Sequence, residues 1–251
     1  MKRTVFSLLA AFALCVSAAA VGPAVSCPSA LLMEKQTGTV LFAQDEHTPR
    51  EPASVTKIMT LLLAVEAVER GDVKLSDSVT AYDDCNADMV EGASNADIKV
   101  GETMTFEDFL YCAMISSANE ACNVVAEYVC GSISAFVERM NTRAQELGCT
   151  GTHFCNPCGL HEDDHYTTAH DLYRIAKQAM KDATFRDIVS TVQHRMAKTN
   201  LHEERIILTT NQLIFSSFNP WSYPYNKGIK TGHTSQAGNC FVGYAEYGDA
   251  K

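Results

Sequence analysis

The stretch Glu51-Pro52-Ala53-Ser54-Val55-Thr56-Lys57 sets a hydroxyl three residues ahead of an amine. On a helix that spacing puts both side chains on one face. An unprotonated lysine there can take the serine's proton and leave an oxygen able to attack a carbonyl. Burial of the amine and a second cation close by both favour the unprotonated form. The positive end of the helix and the Ser54 N–H would steady an oxyanion. Taken alone the pair is common, because a serine cap followed by a lysine looks the same.

Two further triplets change the weight of the first. Ser117-Ala118-Asn119 falls at a break between two helical patterns, where a hydroxyl and an amide can both face a cleft; its bland reading is a helix cap. Lys230-Thr231-Gly232 falls in a strand-like run, where alternation sends Lys230 to one face and Gly232 removes a side chain that would block an extended substrate alongside. Its bland reading is a strand with one exposed lysine. Each triplet alone is weak, but chance does not readily place all three, in order, on a helix start, a helix junction and a strand.

A competing signal lies between them. Cys155-x-x-Cys158-x-x-His161-x-x-x-His165 has zinc-like spacing, and His161-Glu162-Asp163-Asp164-His165 matches the H-E-x-x-H string of metalloproteases. That chemistry needs a helix with both histidines on one face. Pro157, Gly159 and the paired aspartates predict a loop without an apolar stripe, so neither a metal nor another cofactor is expected.

The elements that must position these groups can be read from periodicity. Ala30–Met33 and Thr39–Ala43 flank Lys35-Gln36-Thr37-Gly38 as a β-hairpin. From Ser54 to Arg70, Ile58, Leu61, Leu62, Val65 and Val68 recur at helical steps, and Gly71 stops the run. Between Lys74 and Thr103 the chain is polar and acidic, consistent with short strands and loops. Thr105 with Asp108 opens a capped helix through Met114; Asn119–Cys130 and Ala135–Leu147 follow, closed by Gly131 and Gly148. Thr168 begins another helix to about Lys181. Ile206–Leu208, Gly228–Thr231 and Asn239–Ala245 read as sheet strands.

The 251 residues are 46% hydrophobic and 20% charged, enough for one large domain. Lys2 and Arg3 precede an uncharged run from Val5 to Ala20 ending in three alanines, the pattern of a secretory leader, 1–20, with the mature chain starting near Val21. Removing the leader leaves 18 basic and 30 acidic residues, a net charge near −12 without a basic stripe, which argues against nucleic acid as a partner. Nine of the ten cysteines remain after cleavage. Cys112, Cys122 and Cys130 sit in apolar helical patterns and are expected as small buried hydrophobes rather than a disulfide scaffold.

The three triplets are a signature shared by penicillin-binding proteins and class A β-lactamases. The chain most resembles the low-molecular-mass D-alanyl-D-alanine carboxypeptidases, from about Ser29 to its end. His233-Thr234 and Ala237-Gly238 after the third triplet, Asn156-Pro157-Cys158-Gly159-Leu160, Thr167-Thr168-Ala169 and Asp171-Leu172 carry the likeness further. The resemblance implies an α/β penicillin-binding fold: an antiparallel sheet from both chain ends, covered by helices, beside a mostly helical subdomain at about 75–165. It implies Ser54 as acylated nucleophile, Lys57 as base, and Ser117 with Lys230 relaying the proton to the departing D-alanine. Asn119 would hold the substrate amide and Thr231 would help hold the terminal carboxylate, with Gly232 leaving room on the strand for the substrate. The N–H groups of Ser54 and His233 would form the oxyanion hole. Peptidoglycan pentapeptide stems and β-lactam antibiotics would be the partners, at the cell wall or the outer face of the cytoplasmic membrane.

Two alternatives share the triplets. A class A β-lactamase is disfavoured because Ala118 stands where those enzymes usually carry Asp. A non-catalytic penicillin- or wall-binding domain would keep the cleft without turnover. Family members normally continue beyond the last strand with another core strand, a final helix and often a second domain with a membrane anchor. The catalytic domain, 21–251, is therefore expected to be incomplete at its C-terminal side.

Overall fold

The computed structural model describes residues 24–86, 89–215 and 219–248; the expected leader lies outside them. At the centre runs helix α1 (Lys57–Arg70), buried from Lys57 through Val65 and again at Ala67. A helix apolar on nearly every side must be surrounded, and α2 (Phe106–Met114), α3 (Asn119–Cys130), α5 (Ala169–Ala179) and α6 (Ala183–Ser190) all pack against it. Helix α4 (Ile133–Glu146) lies on α3, and its Arg143 reaches across to Glu66 of α1 at 2.6 Å.

The helix boundaries follow local chemistry. The Thr105 hydroxyl accepts the Asp108 N–H at 3.1 Å, the capping box expected for α2. Ser132 caps α4, so this helix starts at Ile133, two residues before the expected Ala135. Thr168 caps α5 as expected and α5 ends at Ala179, near the expected Lys181; Asp182 then caps a further helix, α6, absent from the sequence reading. Gly71 and Gly131 end α1 and α3 with left-handed backbone, the conformation a residue without Cβ adopts most readily.

The strands are antiparallel, and hydrogen bonds join them in four two-stranded pairs among the described residues. The first hairpin pairs β1 (Ala30–Met33) with β2 (Val40–Gln44). Ser78–Thr80 (β3) pairs with Thr103–Thr105 (β4), which orders both ends of the acidic stretch. Ile206–Leu208 belongs to β6 (Arg205–Leu208), whose partner is β5 (Gln193–Met196), a strand absent from the sequence reading. Near the C-terminal side, β7 (Asn226–Thr234) pairs with β8 (Gly238–Ala245), extending Gly228–Thr231 at both ends. The expected sheet from both chain ends is thus two hairpins without a shared ladder. An apolar groove of about 670 Å³ separates them, walled by β1 and by residues 241–247, and Lys35 spans it to the Tyr244 hydroxyl at 3.3 Å.

Of the three cysteines read as helix-buried hydrophobes, Cys112 and Cys122 are fully buried and Cys130 is half-buried. No helix among the described residues is long and apolar enough to cross a membrane.

Candidate active site

Ser54 sits not in α1 but in a single 3-10 turn, Ala53–Thr56, that leads into it. Ala53 has φ +48°, so the chain enters the turn through left-handed backbone and the α-helix starts only at Lys57. The serine–lysine juxtaposition survives this change: Lys57 Nζ lies 2.9 Å from Ser54 Oγ. The amine is fully buried, and its other two neighbours are acceptors, Asn119 Oδ1 and the Cys158 carbonyl, each at 2.7 Å.

Asn119 opens α3, directly after the break at Ser116–Ala118. Ser117 is buried with φ +64°, and the Ala118 N–H donates to the Cys112 carbonyl at 3.0 Å. The break thereby turns the chain so that Asn119 faces Lys57. Lys230, on β7, is buried too. Burial, and then the nearby Lys57 charge, push its amine well below the ordinary lysine range. Its Nζ donates to the Thr231 carbonyl at 3.0 Å.

Gly232 has a close neighbour that its sequence did not suggest. A Cβ there would stand 3.0 Å from the Ser54 nitrogen and 3.2 Å from that of Val55, so the missing side chain makes room for the turn that carries Ser54. His233 follows, exposed, opposite Asn239. Thr231 Oγ1 lies 2.6 Å from Thr210 Oγ1, and the Thr210 N–H is bonded to the Ile115 carbonyl beside the Ser117 break. Thr210 carries no motif and was missed in the sequence.

The loop between α4 and α5 forms the floor. Asn156 Oδ1 accepts from the N–H groups of Cys158, Gly159 and Leu160 at 3.3, 2.7 and 3.1 Å, folding the Asn156–Leu160 landmark around one side chain. The fold sends the Pro157 carbonyl to the Thr60 hydroxyl at 2.5 Å and the Cys158 carbonyl to Lys57. Gly159 has φ +87°, and a Cβ on it would stand 1.9 Å from the Ala53 carbonyl oxygen, so only glycine fits. The Thr167–Asp171 landmark is structural. Thr167 exchanges two backbone hydrogen bonds with Arg50, at 2.8 and 2.9 Å, and the Asp171 carboxylate accepts from Gly151 N–H and the Thr152 hydroxyl. A backbone carbonyl such as that of Cys158 leaves no mark in a sequence; the turn that aims it does.

The H-E-x-x-H string is part of this loop and is not helical. Its histidines diverge: His161 pairs with Glu51 at 3.1 Å, whereas His165 is buried between Thr56 Oγ1, 2.9 Å from Nε2, and the Cys155 N–H, 3.1 Å from Nδ1.

A family model described as D-alanyl-D-alanine carboxypeptidase matches residues 16–251. Among characterised relatives, the D-alanyl-D-alanine carboxypeptidase DacF of Bacillus subtilis is 37% identical over 89% of this chain and 55% of its own length. DacA of Escherichia coli is 31% identical over 91% and 55%. The chain spans about half the length of the curated relatives it matches. The crystal structure of the Streptomyces K15 DD-transpeptidase superposes with a TM-score of 0.82 at 30% identity, over 91% of this chain and 88% of that one. A shared fold over nearly the whole of both chains, with helices packed on antiparallel strands, accords with the match of the family model from residue 16 to the end. The chain belongs to the D-alanyl-D-alanine carboxypeptidase family.

Proposed function

We propose that this chain hydrolyses the terminal D-alanyl-D-alanine bond of peptidoglycan stem peptides through an acyl-enzyme on Ser54, and that penicillin acylates the same oxygen. The observation that carries this is the set of neighbours around Lys57. An unprotonated amine has two N–H groups and one lone pair. With Lys57 neutral, as the proposed mechanism requires, Asn119 Oδ1 and the Cys158 carbonyl, which can only accept, take the two N–H groups and the lone pair turns to the Ser54 hydroxyl at 2.9 Å.

In the first step the Ser54 proton passes to Lys57 while the Oγ–carbon bond forms. Collapse of the tetrahedral intermediate breaks the carbon–nitrogen bond to the last D-alanine, whose amine receives a proton through Ser117 and Lys230. The depressed proton affinity of buried Lys230 suits it to pass a proton on. The N–H groups of Ser54 and His233 bind the developing oxyanion; Gly232, packed against the Ser54 nitrogen, brings β7 to that edge. Asn119 and Thr231 hold the substrate amide and terminal carboxylate. Water then releases the acyl group and restores Ser54. The catalytic domain falls within 21–251 with its helical part at about 75–165, and it works outside the cytoplasm, at the cell wall or the outer face of the cytoplasmic membrane.

Labelled penicillin is expected to mark the protein, and D-alanine to be released from a diacetyl-lysyl-D-alanyl-D-alanine peptide. Undiminished labelling of a Ser54→Ala variant overturns the assignment. Labelling without any D-alanine release would favour a penicillin-binding domain without turnover.

A further inference from the structure

His165 touches neither the Ser54 hydroxyl nor the Lys57 amine, yet it is buried and both ring nitrogens are engaged. The Cys155 N–H points at Nδ1, so Nδ1 accepts and the ring proton sits on Nε2, facing the Thr56 hydroxyl. Thr56 lies between the nucleophile and the base, in the 3-10 turn itself. The Phe154 ring meets the imidazole edge-on, with centroids 5.7 Å apart, which holds its plane.

We infer that His165, as its Nε2–H tautomer, is a positioning residue that clamps the 155–165 loop to the Thr56 side of the nucleophile's turn and so sets the Ser54–Lys57 separation. The inference rests on the proposed acyl-enzyme chemistry. The loop touches the turn at three places: Gly159 against the Ala53 carbonyl, the Cys158 carbonyl on Lys57, and His165 on Thr56. The first is steric and the second holds the base. Only the third ties the loop by a side-chain hydrogen bond to Thr56, one of the two residues between Ser54 and Lys57, whose backbone has to stay in the turn for the two groups to meet. Burial lowers the His165 pKa to about 4, so the neutral ring persists through the physiological range.

The separable functions of the two nitrogens supply the test. His165→Gln can keep a donor towards Thr56, whereas His165→Asn can keep only the acceptor for the Cys155 N–H. Penicillin acylation rates, with kcat and KM for the D-alanyl-D-alanine peptide, are to be measured for wild type, both variants, Thr56→Val, Thr56→Ser and the His165→Asn/Thr56→Val double variant. His165→Asn and Thr56→Val are expected to lower acylation and kcat by about tenfold with KM unchanged, since small misplacement of reacting groups costs rate rather than binding. His165→Gln and Thr56→Ser should stay within about threefold of wild type, and the double variant should be no slower than either single one. A loss below about threefold in His165→Asn or Thr56→Val, or additive losses in the double variant, overturns the inference. If His165→Asn does not fold, the contrast of Thr56→Val with Thr56→Ser decides by the same thresholds. Failure of wild type to acylate would instead sink the proposed function and leave a different signature from any of these.

Discussion

Two stretches of this chain advertise chemistry, and the fold treats them in opposite ways. Around Lys57, groups from three distant segments converge: Ser54 on the turn, Asn119 at the start of α3 and the Cys158 carbonyl from the loop all lie within 2.9 Å of one buried amine. Around His161, four residues away from its apparent partner, the groups disperse. His161 turns outward to Glu51, His165 inward to Thr56, and Cys155 Sγ lies 3.7 Å from His153 Nδ1. A motif becomes a site when the backbone brings its atoms to one point, and only a helix would have done so for H-E-x-x-H. The second stretch serves the first: its loop supplies a carbonyl and a histidine to the walls of the lysine pocket.

This contrast is most sharply broken at the base. Lys57→Met is expected to reduce penicillin acylation and D-alanine release about 10³-fold, the range for loss of a general base, measured by labelling kinetics. Normal rates in that variant would leave the convergence without a catalytic meaning.

The next largest effect is expected where the loop meets the turn. Gly159→Ala puts a Cβ where the Ala53 carbonyl oxygen stands and forces an alanine into φ +87°. Denaturant unfolding should show a loss of more than about 3 kcal/mol, from overlap plus backbone strain. A loss under about 1 kcal/mol would mean that the loop and the turn move independently.

A smaller effect sharpens the comparison through pH. The folded-state pKa of His165 is lowered from 6.5 to about 4, first by burial and then by the His153 and Lys57 charges. The unfolded chain therefore binds the proton before the native state does. The stability associated with neutral His165 is fully present above pH 6.5 and declines as pH falls from 6.5 to about 4, by up to ~3 kcal/mol. Unfolding free energies across that window should fall less steeply in His165→Gln, which cannot titrate; equal slopes would place the ring in contact with solvent.

The smallest effect belongs to the dispersed histidine. His161→Ala, or addition of a chelator, is expected to leave D-alanine release within about twofold of wild type, because His161 makes only solvent-screened pairs with Glu51 and Asp163. Loss of turnover with the chelator would restore a metal to the loop.

Several of these relations were legible before any coordinates. The Ser54–Lys57 spacing survived even though the expected α-helix turned out to be a 3-10 turn there, because both conformations bring residues three apart to one side. The cap at Thr105 and the glycine stops at Gly71 and Gly131 stand as read, since they depend on bonds within one turn of chain. Other features were not legible. Asp182 divides α5 from α6 with a cap that no periodicity marks, and β5 takes Gln193–Met196 into a strand although only Met196 is buried. The closeness of Gly232 to the Ser54 turn was not legible, because a sequence shows that a side chain is absent but not what approaches the gap.

Residue order alone determined the Ser54–Lys57 pair, the two further triplets and the family membership they announce, because each is written within a few consecutive residues whose local geometry is nearly fixed by the chain. Tertiary structure decided what surrounds the amine, a carbonyl from residue 158 and an amide from residue 119, and which way His165 turns, towards Thr56. Those choices depend on directions set by packing between segments up to about a hundred residues apart, and local spacing does not encode such directions.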